Sequence, residues 1–510
     1  MKTRLKLSLV ILTTIFFSCK KNFDSPSWDI DALAPLVNTT LSLNDLLTDS
    51  LLETNPDGSL YMSYQSDLLD INVDSIFKIP DTTIVEEYVV PLTTIAYPNS
   101  TFYSNNEEKQ LNINNGIELN YGLIESGFIN LEVYSEVTER VVVTLKILSA
   151  TQNGDTLVVA DTIDAATSMT PGYLAVQFDL SGYELDLTGI NHNTTNMLVT
   201  NANATIHPDA PPWGVHVNSG AKLIYNYNFV DVIPVYVKGY FGSQNYHFGP
   251  DTTEFEVFNS ILNGSIDLNE VNVTVDFDNG IGVDAQVSTT QFTSLNTEAG
   301  TFSSLTGGIM DSPININRAQ ETHSVPEVNY TYNQRILNTS NSNIDELIEV
   351  LPDKLIYEGD LIINPFGNIS GSNDFFYKDF PLKANLNIEM PLSLVANNLT
   401  LADTVDFDLD AENVKDIIEG SLLINADNGY PFDAEIKMEL LDQNNQIVKE
   451  MVLINNTIAA ASVNSLLKVE IPKFSILTMP LSSADISLLT MTEKMIITVA
   501  FTTTAQPQYL

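Results

Sequence analysis

The chain has 510 residues, 44% of them hydrophobic, and carries 22 Lys+Arg against 65 Asp+Glu for a formal net charge of −43. So acidic a surface repels nucleic acid, which needs Lys and Arg to neutralise its phosphates, and anionic lipid headgroups. One cysteine excludes an internal disulfide and any thiolate cluster for zinc or iron–sulfur, while 23 Phe and 20 Tyr set the chain apart from disordered acidic sequences.

Residues 1–18 have the layout of an export signal. Lys2, Arg4 and Lys6 make a positive start, and Leu7 to Phe17 form an apolar run well short of the roughly 20 residues that span a bilayer. Ser18 then precedes Cys19. This resembles the lipobox of bacterial lipoproteins, although Phe16 and Phe17 stand where that pattern usually has Leu and a small residue. The resemblance implies cleavage before Cys19, lipid on that cysteine, and attachment to a membrane through the lipid. An ordinary secretory signal with an incidental cysteine is the alternative.

Residues 19–115 read as an N-terminal β region. It contains Ser27–Leu47, with a short helical piece at Leu43–Leu47, and a hairpin turn at Asn55-Pro56-Asp57-Gly58. Residues 116–235 hold about seven strand-like runs, such as the alternating Val141–Ile147, enough for one β-sandwich. Residues 236–335 form a second sandwich-like unit with the strand Val271–Phe277, and Thr297–Gly308 reads as a long loop. Residues 336–510 open with a helix over Asn343–Leu351. Ser342 is its expected N-cap, Ile344, Leu347, Ile348 and Leu351 its apolar stripe, and Pro352 its stop. A weaker helical piece, Glu412–Glu419, and the strands Ala434–Leu440 and Met495–Phe501 follow. The predicted fold class is mainly β: tandem antiparallel β-sandwich-like units with one or two short helices, packed into one elongated body.

A repeat supports the tandem arrangement. Asp278-Asn279-Gly280 and the strand to Val287 match Asp427-Asn428-Gly429 and the strand to Ile436, each preceded by a Gly-Ser strand start, Gly264-Ser265 and Gly420-Ser421. Gly127 and Gly359 open two looser copies. Both Asn-Gly pairs are expected in turns at positive φ. Val283, Ala285, Val287, Phe432, Ala434 and Ile436 should then be buried, with Asp284, Gln286, Asp433 and Glu435 facing water. The Cys19 region, Ser27–Leu36 and these two strands look like the large uncharacterised outer-membrane lipoproteins of Bacteroidetes-type bacteria, which implies an envelope location on either face of that membrane. The run from Asn428 to Asp442 is also similar to the strand pattern of the water-stress/hypersensitive-response sandwich, a likeness of fold that implies no activity.

Chemistry is sparse. The histidines His192, His207, His216, His247 and His323 form no metal-ligating pair in sequence, though His207 and His216 flank one loop that could hold a metal. Neither a nucleophile elbow nor a phosphate loop is present. Asp406, Asp408 and Asp410 alternate along one strand, where they repel unless solvated or bridged by a hard cation such as calcium. No other cofactor is implied. Asp-Ser/Thr triplets resemble the O-glycosylation motif of exported Bacteroidetes proteins, which implies modification at Ser50, Ser75, Thr82, Thr156, Thr162, Thr252 and Thr404. The function expected is a non-catalytic envelope lipoprotein that binds a protein partner or a polymer such as a glycan through its sandwich surfaces. A carrier of a lipid or other apolar ligand in a β-lined groove is the alternative, and a hydrolase with an unrecognised site a third.

Overall fold

Long stretches of Val, Ile, Thr and aromatic residues alternating with polar ones cannot bury one face without pairing edge to edge, and they do so here in stacked antiparallel sheets. The computed structural model describes residues 37–40, 51–56, 60–71, 79, 81–322, 327–407, 409, 414, 417–465, 469–503 and 508–509. Of these residues, strands make up 61% and helices 5%, as the period-2 pattern predicts. Cys19, Leu43–Leu47, Ser50, Ser75, His323, Asp408 and Asp410 lie outside the described residues.

The first sandwich is organised by two long strands, Glu118–Ser135 and Lys222–Tyr240, which pair from Ser135↔Leu223 to Glu118↔Tyr240. Both bend at one place. Gly127 has φ +145°, Asp231 opposite has φ +52°, and the register shifts between Val230 and Ile233. A Cβ on Gly127 would lie 2.8 Å from the Val232 Cα, so only glycine permits this bulge. On one side of the bend, Gly172–Asp179 and Thr82–Val89 complete a layer. The facing layer is Asp155–Ile163, Val141–Gln152, Met197–Ile206 and Thr101–Gln110. Tyr225 Oη donates across to Asn203 O (2.6 Å), and Thr200 Oγ1 donates to the buried Glu86 (2.8 Å). Beyond the bend the long pair continues and takes on Asp374–Tyr377, a strand from far down the chain.

The second sandwich sets the sheet Leu52–Thr54, Leu60–Ile71, Leu382–Pro391, Asn272–Asn279, Thr331–Leu337 against the sheet of Gln244–Glu254, Lys354–Ile363, Ala285–Asn296 and Thr301–Ser304. The predicted hairpin is present, with Leu52↔Met62 and Thr54↔Leu60 in register. Tyr64 links the layers, packing edge-on against Phe255 (4.6 Å) and donating to Glu254 O (2.8 Å). A third unit sets a seven-stranded sheet, with Ser393–Asp406, Lys494–Thr502 and Asp433–Leu441 at its centre, under the ribbon Glu419–Asn428/Lys473–Ser482. The sheets cross the four sequence segments: the first sheet of the second sandwich draws strands from residues 19–115, 236–335 and 336–510. One contiguous core of side chains runs from Met62 to Phe501.

Several expectations need correction. Neither Asn-Gly pair has positive φ, and neither forms a hairpin. Asn272–Asn279 lies in one sheet and Ala285–Asn296 in the facing one, and Glu419–Asn428 and Asp433–Leu441 are divided in the same way. The repeated segment is therefore a corner between sheets. The faces follow the expectation: Val283, Ala285, Val287, Phe432, Ala434 and Ile436 are buried, Asp433 and Glu435 are exposed, and Gln286 and Asp284 are half-buried. Gly127, Gly264 and Gly359 sit within strands rather than at their starts, and the first two mark bulges. Thr297–Gly308 is mostly a hairpin, with Asn296↔Thr301 paired. The first helix runs Ile344–Glu349 with Asn343, not Ser342, at the N-cap, because Ser342 Oγ donates to Asn338 O instead (3.0 Å). Of the expected helical piece Glu412–Glu419, Val414 is helical and Glu419 opens a strand, while Glu412, Asn413, Lys415 and Asp416 lie outside the described residues. A second helix, Ser483–Leu489, was not anticipated.

Candidate binding face

Alternation on four neighbouring strands places one side chain of every two on the outer surface of the second sandwich. Val273, Val275, Phe277, Ala384, Leu386 and Ile388 point into the core. Their neighbours point outward and meet across the strands in rows. Asp70 pairs with Lys383, Lys383 with Asp278, and Asp278 with Tyr332. The next row is Asp67, Asn385, Asp276, Gln334, and the next is Gln65, Asn387, Thr274, Ile336. The middle row, with Asp278 and Tyr332 from one neighbouring row and Gln65 and Asn387 from the other, lines an open, polar concavity of about 600 Å³.

Hydrogen bonds fix part of the surface. Asp276 accepts from Gln334 Nε2 (2.8 Å) on one side and Asn387 Nδ2 (2.5 Å) on the other. Both amides are thereby turned so that their oxygens remain available. Lys383 Nζ stands 3.5 Å from Asp70. The side chains of Gln65, Asp67, Asp278 and Asn385 hold no hydrogen bond or ion pair among the described residues. Tyr332 borders the face, 77% exposed, and its ring stacks at 6.4 Å on Tyr330, which meets Phe380 at 6.1 Å. Phe380 in turn packs on Tyr377, and Tyr377 on Tyr236. The aromatic chain runs from the face to the junction with the first sandwich. There Glu321 accepts from Tyr236 Oη (2.6 Å) and pairs with Lys238 (2.8 Å). Burial raises the Glu321 pKa, but the Lys238 and Tyr236 hydrogen bonds outweigh it and hold the carboxyl below its usual range. Burial together with Glu321 pushes the Tyr377 hydroxyl up to about 12.

The residues singled out in the sequence lie elsewhere. Asp406 is exposed at a strand end, opposite Lys494, and its two companions are outside the described residues. Among the described residues no three His, Cys, Asp or Glu side chains gather to hold a metal ion. His207 Nδ1 accepts from Asp209 N (3.2 Å), whereas His216 is exposed opposite Ile95, and no hydrogen bond or ion pair joins them. His247 lies between Glu358 (3.1 Å) and Asp360 (3.3 Å) on the other sheet of the second sandwich, and His192 is 3.2 Å from Asp186. Of the Ser/Thr sites, Thr252 and Thr404 are exposed, while Thr82, Thr156 and Thr162 are half-buried at strand ends. None of the face residues was singled out from the sequence. The available signal was the alternation of carboxamides and carboxylates in Lys383–Glu389, where outward strand positions more often carry Lys, Thr or Glu.

No family model matches the chain, and no curated protein does. Among solved structures, a Parabacteroides distasonis protein described as secreted is similar at 13% identity and TM-score 0.26, covering 52% of this chain and 84% of that one. Infectious bursal virus derived T=1 particles align at 9% identity and TM-score 0.12, covering 92% of this chain and 86% of that one.

Proposed function

We propose that this chain is a lipid-anchored, non-catalytic protein of the bacterial cell envelope that binds a protein partner or polymer across the outer face of its second sandwich. The observation that carries the reading is the row pattern itself. Four rigid strands present free carboxylates and carboxamides beside an exposed tyrosine, and polar groups held without internal partners are available to a ligand at little cost in reorganisation. The polar lining supports binding of a polar partner over carriage of an apolar one. The rows contain no His, Cys or Lys–Ser pair that would supply a nucleophile with its base, which supports a binding role over catalysis. The anchor rests on Lys2, Arg4, Lys6, the apolar run and Cys19. Calcium at Asp406, Asp408 and Asp410 and glycosylation at the exposed threonines are secondary proposals.

Two measurements test the reading. Cys19→Ser should move the protein from the membrane to the soluble fraction, since each buried acyl CH₂ contributes about 0.8 kcal/mol of anchoring. Unchanged membrane association, with no lipid found on Cys19 by mass spectrometry, defeats the anchor. For the face, wild type should be retained on isolated envelope material, and an Asp67→Ala/Asp278→Ala/Tyr332→Ala variant should not. Equal retention of the two defeats the binding face.

A further inference from the structure

We propose that the ligand of this face is a neutral, hydroxyl-rich glycan chain, laid across the strands with one sugar ring stacked on Tyr332. The inference rests on the binding-face reading above and adds the chemical class of the ligand.

Charge removes the anionic candidates. The face carries Asp67, Asp70, Asp276, Asp278 and Glu389, and its Lys383 is already paired with Asp70. Phosphate, sulfate or uronate groups would therefore meet a field of their own sign. Geometry argues against a bare cation. Asp67 and Asp278 stand on strands separated by Leu382–Pro391, two strand spacings or about 9–10 Å. Oxygens that share one calcium ion each lie only about 2.3–2.6 Å from it. Asp276, the carboxylate between them, is occupied by two carboxamides.

What remains free is a mixed set. The oxygens of Gln334 and Asn387 and the carboxylates of Asp67 and Asp278 accept, and the amides of Gln65 and Asn385 both donate and accept. A hydroxyl group also does both, and two vicinal hydroxyls can donate side by side to the two oxygens of one carboxylate. Along a row, side chains on adjacent strands follow at the strand spacing of about 4.8 Å, close to the width of a pyranose ring. Successive sugars can then meet Asn385 and Asp67 along one row, with Asp278 one row away. Tyr332 supplies the remaining element. Its ring is 77% exposed yet flanked by Tyr330, which itself packs on Phe380. Little side-chain freedom is left to lose when the C–H face of a sugar covers it. A rigid exposed aromatic ring beside a polar sheet suits a ligand with one apolar and one hydroxylated surface.

The test uses the purified full-length protein in detergent and an array of neutral glycans of the gluco, manno, galacto and xylo series, with hyaluronate and poly-lysine as charged probes. At least one neutral series should bind, gain affinity with chain length, and change little between low and high salt. Tyr332→Ala should weaken that binding at least tenfold, Tyr332→Phe should retain it, and Asn385→Ala should weaken it. Circular dichroism melts of each variant verify folding. Failure of every neutral glycan to bind overturns the proposal. Binding of poly-lysine alone, with steep salt dependence and loss in Asp67→Ala/Asp278→Ala, overturns the glycan while leaving the binding face standing. If envelope retention is also unchanged in the triple variant, both readings fall.

Discussion

A chain that leaves one sheet and enters the facing sheet strands several backbone groups at the crossing, out of reach of either ladder. Asn279 and Asn428 solve this with one side chain each. Asn279 Oδ1 accepts from Ile281 N (2.9 Å), and its Nδ2 donates to Asn317 O (2.8 Å) and Val283 O (3.4 Å). Asn428 does the same with Tyr430 N (2.8 Å), Ala459 O (3.1 Å) and Phe432 O (2.9 Å). Both asparagines are buried, so either Asn→Ala change removes three hydrogen bonds at the corner and should cost about 1–3 kcal/mol. The adjoining glycines differ. A Cβ on Gly280 would lie 2.8 Å from both Phe380 O and Tyr330 Cζ, whereas one on Gly429 meets nothing within 4 Å. Gly280→Val should therefore cost about 1–3 kcal/mol, and Gly429→Val no more than about 0.5. Urea unfolding of the four variants measures this; equal losses at the two glycines would refute close approach as the reason for Gly280.

At the level of elements, the helix Ser483–Leu489 is set by its first turn. Ser482 accepts from Asp485 N while the Asp485 carboxylate accepts from Ser482 N, a reciprocal capping box. Lys449, on the strand Ile447–Met451, pairs with the same carboxylate and ties the helix to the sheet. Ser482→Ala should cost about 1 kcal/mol. The hydrogen bond from Lys449, then that from Ser482, depresses the Asp485 pKa to about 2. A carboxylate depressed in the folded state stabilises fully above its unfolded pKa, near 4, and loses that contribution as pH falls toward 2. Stability measured between pH 5 and 2 should fall less steeply in Asp485→Asn than in wild type, and parallel curves would remove Asp485 from the account. This helix was legible in principle, since Ser482 and Asp485 have capping-box spacing, but its seven residues lack a long apolar stripe. The first helix was legible because its stripe is complete. The strands were legible because burying one face imposes a period of two. The corners were not, because Asn-Gly chemistry is the same whether the next strand returns to its own sheet or crosses to the opposite one. The candidate face was hidden for a related reason: Asp67, Asp276, Tyr332 and Asn385 become neighbours only through pairing of strands that are remote in the chain.

For the whole molecule, the question is how the first two sandwiches are held in a fixed relation. The strand Asp374–Tyr377 belongs by sequence among strands of the second sandwich, yet it pairs with Tyr236–Gly239 of the first. At its start Asp374 is fully buried and accepts from Asn364 Nδ2 (2.7 Å). Its charge is met by Arg318, whose Nη1 stands 3.2 Å from Asp374 Oδ1. The same guanidinium holds Asp284, at the corner of the second sandwich, through Nε (3.1 Å) and Nη2 (2.9 Å). The chain has four arginines, and this one spends its planar fork on two carboxylates from different structural units, which a lysine's point charge would not reproduce. Removing one member of a buried pair leaves the other as an uncompensated charge, at about 3–5 kcal/mol. Arg318→Ala should therefore destabilise strongly, Arg318→Lys less, and Arg318→Ala/Asp374→Asn should recover part of the loss, because the stranded charge is gone. Calorimetry supplies the readout. With the clamp intact the two sandwiches should unfold together, and in Arg318→Ala the transition should broaden or divide as they uncouple. A single transition at the wild-type midpoint in Arg318→Ala would falsify the clamp. Tyr332 and the outer face should bind as before in any Arg318 variant that remains folded, because the rows that form the face are internal to the second sandwich.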